Sequence, residues 1–457
     1  MHSNASSTNH RNGEWYSWYL VFVLFLACVL SYADRQSVAI LIQPIKLEFG
    51  LSDTQIGLVQ GLAFAMCWAV AMLPLSRVID RSSRTRLSAI CLLIWSIATV
   101  LCGVVPTFWL FVLARAGTAI SEAGINPAAL SIFADLFDSK KLQRANSFFY
   151  VGPYVGGGIA LLVGGTLFQM LSSSTASAWL PHFLFTTLSP WRWVMIALGA
   201  PGIALFLLMV LTVRDVGRTR SNTQSVPNRA ESNWHATLAE IFIARPFVKW
   251  YFASGIFVVA LFYSLVTWFP TVMIRSFASN PHFVGGHLGP IYICAGVAGA
   301  LIAGLLLKND TTEGLLLRTL NLQVGLGIAL IPIFVLSFFA ATVTQFFWLY
   351  GAMTFVCSML VSTVATPIQL TMPNRLRGQT IAVSAFITSI VGGGLGPVSV
   401  GYLADRLGTG RDALASALFT SCVVWSAVAV VLLVIARHRI LDMPSAIPSI
   451  DRRPSFK

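Results

Sequence analysis

Four charged residues stand inside stretches that are otherwise apolar enough to cross a bilayer. Asp34 and Arg35 lie in the first such stretch, and Arg115 and Glu122 lie in the fourth, Phe108 to Phe133. Arg115 and Glu122 are seven residues apart, two helical turns, so they share one face. A charge at bilayer depth costs about 2.5–3.5 kcal/mol on the insertion scale, and a chain keeps it where it meets a partner, water or a substrate. Burial and a neighbouring arginine pull a carboxyl group in opposite directions. A change in the arginine's distance would therefore move a proton on or off Asp34 or Glu122. An arginine released from its partner can instead hold an anionic head group. The alternative left open is a static network that locks the two spans together.

The elements that position these groups follow from composition. Hydrophobic residues make up 56% of the 457 residues and charged residues 10%. Long apolar stretches recur along the whole chain, which excludes a soluble protein. Twelve spans are expected between Trp15 and Ala436, an all-α membrane protein in two six-helix halves. The divisions are a tail over 1–14, one half over 15–213, a central loop over 214–245, a second half over 246–436 and a tail over 437–457. Of the 30 Lys and Arg residues, 23 fall in the tails and in the loops on the same side as the tails. That bias puts both termini in the cytoplasm and accounts for the net charge of +13. Nothing points to nucleic acid. The seven cysteines all fall in apolar spans without metal-ligand spacing and are expected to be small core residues. Ser172–Ser189 is expected to be an outer loop, and Trp234–Ala244 either a short amphipathic helix or plain linker.

Heights can be compared across the two charged spans. At about 1.5 Å per residue, the first span reaches Asp34 after roughly 27 Å from one side. The fourth reaches Arg115 after roughly 10 Å from the other, a similar level in a core about 30 Å thick. Arg115 is thus the expected partner of Asp34, with Glu122 about 10 Å deeper along its span. Asn126 and Pro127 interrupt the span beyond Glu122.

The halves repeat. Val155-Gly156-Gly157-Gly158 with Gly165 recurs as Val391-Gly392-Gly393-Gly394 with Gly401, each offset by 236 residues. Phe108-Trp109-Leu110 recurs as Phe347-Trp348-Leu349, offset by 239. This is the build of a rocking transporter. The charges do not repeat, since Arg115 falls on Thr354 and Glu122 on Val361. The second half offers Tyr263, Thr267, Trp268, Thr354, Ser358 and Ser362 as a polar and aromatic cavity lining. Such a cavity suits a small molecule with a charged end and a less polar body. Asp80, with Arg81 and Arg84, reads either as part of a basic loop or as a gate latch. Gly152-Pro153 and Gly396-Pro397 supply either tight packing or helix bends.

The chain resembles the major facilitator superfamily in its twelve spans, its long central loop and its Asp80–Arg86 loop, although Ser76 and Ser83 replace the loop's usual glycines. Three segments resemble the spinster-like transporters. They are Tyr32-Ala33-Asp34-Arg35, the stretch Leu51-Ser52-Asp53-Thr54-Gln55-Ile56-Gly57-Leu58 with Gln60-Gly61-Leu62-Ala63-Phe64, and Arg115 through Glu122-Ala123 to Pro127-Ala128-Ala129. Ser121 departs from the glycine usual before the glutamate. The compact chain with short tails looks like a bacterial member. The resemblance implies alternating access around a central cavity, with Asp34, Arg115 and Glu122 as functional positions and Arg35 matching as well. Animal members of that family move lysophospholipids and sphingosine-1-phosphate, so the expected substrate is amphiphilic or anionic, the coupling ion a proton. The superfamily's anion–cation symporters share Tyr-x-Asp-Arg and a Glu-Ala followed by proline, and carry small organic acids such as hexuronates. From another class, a transporter-fold receptor or scaffold would bind without net flux. No nucleophile–base constellation or phosphate loop stands out, so no enzyme, cofactor or metal is expected. The expected state is a monomer in the cell (inner) membrane.

Overall fold

The computed structural model describes residues 4–173, 188–215, 240–243, 245, 247–307, 312–408, 410 and 412–441. Among these, twelve helices are long and apolar enough to cross a membrane. They are α1 (Asn4–Phe49), α2 (Asp53–Gly57, a π-helical stretch Leu58–Ala63, then Phe64–Arg81), α3 (Arg84–Val104), α4 (Phe108–Leu136), α5 (Ser139–Ser172) and α6 (Pro190–Thr212). After the central loop come α7 (Phe247–Phe277), α8 (Pro281–Leu306), α9 (Thr312–Ser337) and α10 (Val343–Thr363 with Ala365–Thr371). The last two are α11 (Asn374–Ile387, a π-helical stretch Thr388–Gly394, then Leu395–Leu407) and α12 (Ala413–Leu441). Most of the predicted outer loop at 174–187 and of the central loop at 216–239 lies outside the described residues.

Local chemistry sets the helix ends. Thr107 caps α4 by accepting from the Leu110 amide at 3.4 Å, and Thr342 with Gln345 forms a reciprocal capping box on α10. Helix α8 opens at Pro281, where the Asn280 side chain accepts the Phe283 amide at 2.7 Å. The expected interruption at Asn126-Pro127 does not occur. Helix α4 runs unbroken through Pro127 to Leu136. Helix α5 likewise continues through Pro153. The two π-helical stretches were not expected; each adds a residue to a turn.

The chain forms two compact units. Unit 1 comprises residues up to Ser52, Ala63–Ser221 and Met273–Ile293; unit 2 comprises Asp53–Leu62, Asn222–Val272 and Cys294–Lys457. The first turns of α2 thus pack with the second half of the chain, and the first half of α8 with the first. Glycines make both exchanges. A Cβ on Gly401 would lie 2.3 Å from the Asp53 carbonyl at the start of α2. Its repeat equivalent, Gly165, stands 2.3 Å by the same measure from the Pro281 carbonyl at the start of α8. The pair Gly156 and Gly392 matches as well, with a Cβ 2.2 Å from Val29 O on α1 and 2.3 Å from Ile256 O on α7. The sequence repeat is therefore a repeat of contacts. Trp109 and Trp348 show the same equivalence on the exterior, exposed at 76% and 78%.

Unit 1 has a core of Leu20, Leu24, Trp95, Ile132, Phe133 and Phe149, from α1, α3, α4 and α5. Unit 2 gathers Tyr251, Phe252, Leu320, Ile368 and Leu433, and Ile241 from the end of the central loop joins them. Of the seven cysteines, all free thiols, five are buried as expected; Cys67 is half-buried and Cys294 exposed.

Candidate functional site

Asp34 and Arg115 meet inside unit 1. Arg115 Nη1 donates to Asp34 Oδ2 at 2.8 Å, with the two side chains 2% and 1% exposed. Helix α1 delivers Asp34 in its ninth turn and α4 delivers Arg115 in its third. The pair is under-bonded. Asp34 Oδ1 and Arg115 Nε and Nη2 are buried with no hydrogen-bond partner. Leaving such atoms unpaired in an apolar interior is costly, and the guanidinium retains free donors suited to an oxyanion.

Glu122, on the same face of α4, is 4% exposed. Its carboxyl group lies within electrostatic reach of Arg35, Asp34 and Arg115. Two carboxylates and two guanidiniums therefore share one neighbourhood, in which Asp34, Arg115 and Glu122 are buried and Arg35 is half-buried. The flanking hydroxyls are absorbed by backbone. Thr118 donates to Arg115 O at 2.7 Å, and Ser121 to Gly117 O at 2.8 Å. Asn126 is half-buried one turn beyond Glu122.

The aromatic contact was not anticipated. Phe64, the first α-helical residue after the π-stretch of α2, faces Arg35 and Arg115 with its ring centroid 4.3 and 5.3 Å from their guanidinium carbons. Nothing in an apolar span marks one phenylalanine among 31 as the one that meets two cations.

The residues expected to line a cavity in the second half divide by environment. Trp268 is fully buried and donates from Nε1 to the Pro397 carbonyl at 2.9 Å. Ser358 donates to Gly296 O. Thr354 and Ser264 are buried with unpartnered hydroxyls. Tyr263 lies against Gly393, Thr267 is 9% exposed, and Ser362 is exposed with its hydroxyl on its own helix.

At the amino end of α3, Arg84 pairs with Asp135 and donates to the Ser131 carbonyl and hydroxyl at 2.9 Å. Ser83 and Thr85 hydroxyls hold the Asp215 carboxylate at 2.7 and 3.0 Å. The Ser83 hydrogen bond leads in keeping the Asp215 carboxyl below its ordinary range, helped by Thr85 and by Arg86 and Arg84. Arg81 is exposed, and the Asp80 side chain lies outside the described residues. At the opposite end of the bundle Glu48 accepts from Ser189, Trp191 and Arg192, and Arg192 also reaches the Val105 carbonyl. Asp405 at the end of α11 accepts the Asp53 and Thr54 amides of α2 at 3.0 and 2.8 Å.

The family model described as Major Facilitator Superfamily matches residues 24–397. An MFS-type efflux pump of Mycolicibacterium smegmatis is 30% identical over 420 residues, covering 91% of each chain. Protein spinster homolog 1 of Xenopus laevis is 25% identical over 86% of this chain and 74% of its own. A solved bacterial homolog to the human lysosomal transporter spinster, inward-facing and unoccupied, aligns with a TM-score of 0.79 at 24% identity, over 95% of this chain and 99% of that one. The likeness seen in three segments of the first half thus extends through the second. This multi-pass protein of the inner membrane belongs to the major facilitator superfamily, and it is similar in sequence and in fold to spinster proteins.

Proposed function

We propose that the transporter couples a proton to the movement of an amphiphilic or anionic small molecule of lysolipid type, by alternating access with both termini cytoplasmic. The observation that carries this reading is the under-bonded Asp34–Arg115 pair with Glu122 beside it. A stable structural pair is expected to satisfy its remaining atoms, since burying charges is repaid only when geometry and hydrogen bonding are complete. Here two guanidinium nitrogens and one carboxylate oxygen stay open. Protonation of Asp34 or Glu122 weakens the hold on Arg115 and frees its fork for an anionic head group. The head group in turn neutralises the arginine and favours proton release. Arg35 balances the second carboxylate. Asp80 with Arg81 and Arg84 then act as the latch of the cytoplasmic gate, and the glycine–proline pairs of α5 and α11 as the points of bending.

The substrate class is tested by uptake into proteoliposomes of a lysophospholipid, a sphingoid phosphate and a hexuronate, in the wild type and Arg115→Ala. Lipid flux lost with Arg115 supports the proposal. Hexuronate flux alone assigns the small organic acid reading and keeps the charge mechanism. Specific binding without flux of any of them identifies a receptor. Unchanged affinity in Arg115→Ala assigns that residue to a structural network.

A further inference from the structure

Phe64 is 2% exposed and meets two guanidiniums, Arg35 at 4.3 Å and Arg115 at 5.3 Å. An aromatic face attracts a guanidinium, most strongly where water is excluded. Arg115 makes one ion pair through Nη1, while Nε and Nη2 are buried without partners. One hydrogen bond does not fix the plane of a guanidinium fork. The ring is a second contact that does, and its contact with Arg35 ties the two cations to a common surface.

The backbone that carries this ring is unusual. Phe64 follows directly on the π-stretch Leu58–Ala63. Within that stretch Gly61 lies against α11, where a Cβ would stand 2.4 Å from the carbonyl of Gly394. Gly394 is the last residue of the π-stretch of α11. One turn earlier, Gly57 meets the Pro397 carbonyl, 2.6 Å from where a Cβ would be. Two widened turns thus pack backbone to backbone, and the ring emerges three residues further along α2. π-stretches inside α-helices are frequent at functional sites.

We infer that Phe64 is a positioning residue: it orients Arg35 and Arg115 together toward an anionic oxygen group. This rests on the anion-binding role proposed for Arg115. It requires no contact between Phe64 and the substrate. It also predicts that the ring face matters rather than its volume, so a tyrosine serves and an aliphatic side chain of similar size does not.

The test uses the full chain in detergent, as wild type, Phe64→Leu, Phe64→Met and Phe64→Tyr. Calorimetry measures binding of a lysophosphatidate, of a hexuronate and of the uncharged monoacylglycerol. The aliphatic variants are expected to weaken whichever anion the wild type binds by about tenfold. Monoacylglycerol affinity stays unchanged and Phe64→Tyr restores the anion. Equal anion affinity in Phe64→Met and wild type, equal losses for charged and uncharged ligands, or failure of Phe64→Tyr to restore would overturn the inference. Should the wild type bind neither anion, the anion role of Arg115 fails by itself. The hold of Phe64 on the cations is then measured by thermal midpoints of Phe64→Met, Arg35→Lys and the double variant. Non-additive shifts support the positioning contact and additive shifts refute it.

Discussion

Asp405 secures the amino end of α2, and its removal has a calculable effect. Its carboxylate accepts the Asp53 amide at 3.0 Å, the Thr54 amide at 2.8 Å and the Thr54 hydroxyl at 2.6 Å. One turn earlier Gly401 packs on the Asp53 carbonyl. The site is a borrowed helix cap: an acid from another helix satisfies amides that α2 cannot bond internally, at the positive end of its dipole. Hydrogen bonds to a sheltered charge contribute about 1.5–3 kcal/mol each. Asp405 is exposed, so solvent screening brings the three together to about 2 kcal/mol, comparable with the loss of a strong cap. Asp405→Ala should therefore shift the docked-to-undocked ratio of the start of α2 about 30-fold. Asp405→Asn keeps an acceptor oxygen and loses the charge, and should cost about 1 kcal/mol, near fivefold. The assay is the labelling rate of a cysteine replacing Ile56, buried at 4%, by a membrane-impermeant maleimide, with the native cysteines changed to serine. The expected order is Ala above Asn above the native aspartate. Equal rates in the alanine variant and the parent would show that glycine packing alone holds α2, and the capping argument would fail.

Two further outcomes follow from the same physics. Gly61→Val places its Cβ 2.4 Å from a backbone carbonyl, a clash no side-chain rotation relieves. It should cost about 1–3 kcal/mol in stability, read as a lowered thermal midpoint, whereas Gly286→Val, with open space around it, should change little. At Asp215 the folded carboxyl titrates below its ordinary value, so its contribution is complete above the usual aspartate range of about pH 4 and fades as pH falls through the lower folded value. Asp215→Asn should accordingly lower the thermal midpoint at neutral pH and lose its effect only under strongly acid conditions; a constant difference across that range would rule out the linkage.

Much of the architecture was legible because it is written locally. Apolar runs of sufficient length can hardly be anything but spans, and the repeated glycine triplets predicted a repeat that the contacts of Gly156 and Gly392, and of Gly165 and Gly401, display. The Asp34–Arg115 pair was legible for a different reason: few charges lie at depth, and helical rise places these two at one level. What stayed hidden depends on register between helices. Phe64 looks like any other apolar side chain until α1 and α4 bring arginines to its face. Asp405 reads as the end of a span until α2 begins beside it. The interruption expected at Pro127 fails because a transmembrane helix carries an internal proline where its neighbours absorb the lost hydrogen bond. The π-stretches carry no sequence mark beyond glycine.

The most direct test of proton coupling is uptake driven by an imposed pH gradient in proteoliposomes of wild type, Asp34→Asn and Glu122→Gln, using whichever substrate the wild type moves. Each neutral variant keeps the shape of the buried site and removes one titratable group. The account predicts that gradient-driven accumulation is lost in at least one of them while the protein remains folded and still binds substrate. Normal gradient-driven accumulation in both would contradict it and leave the four charges as a structural brace between α1 and α4.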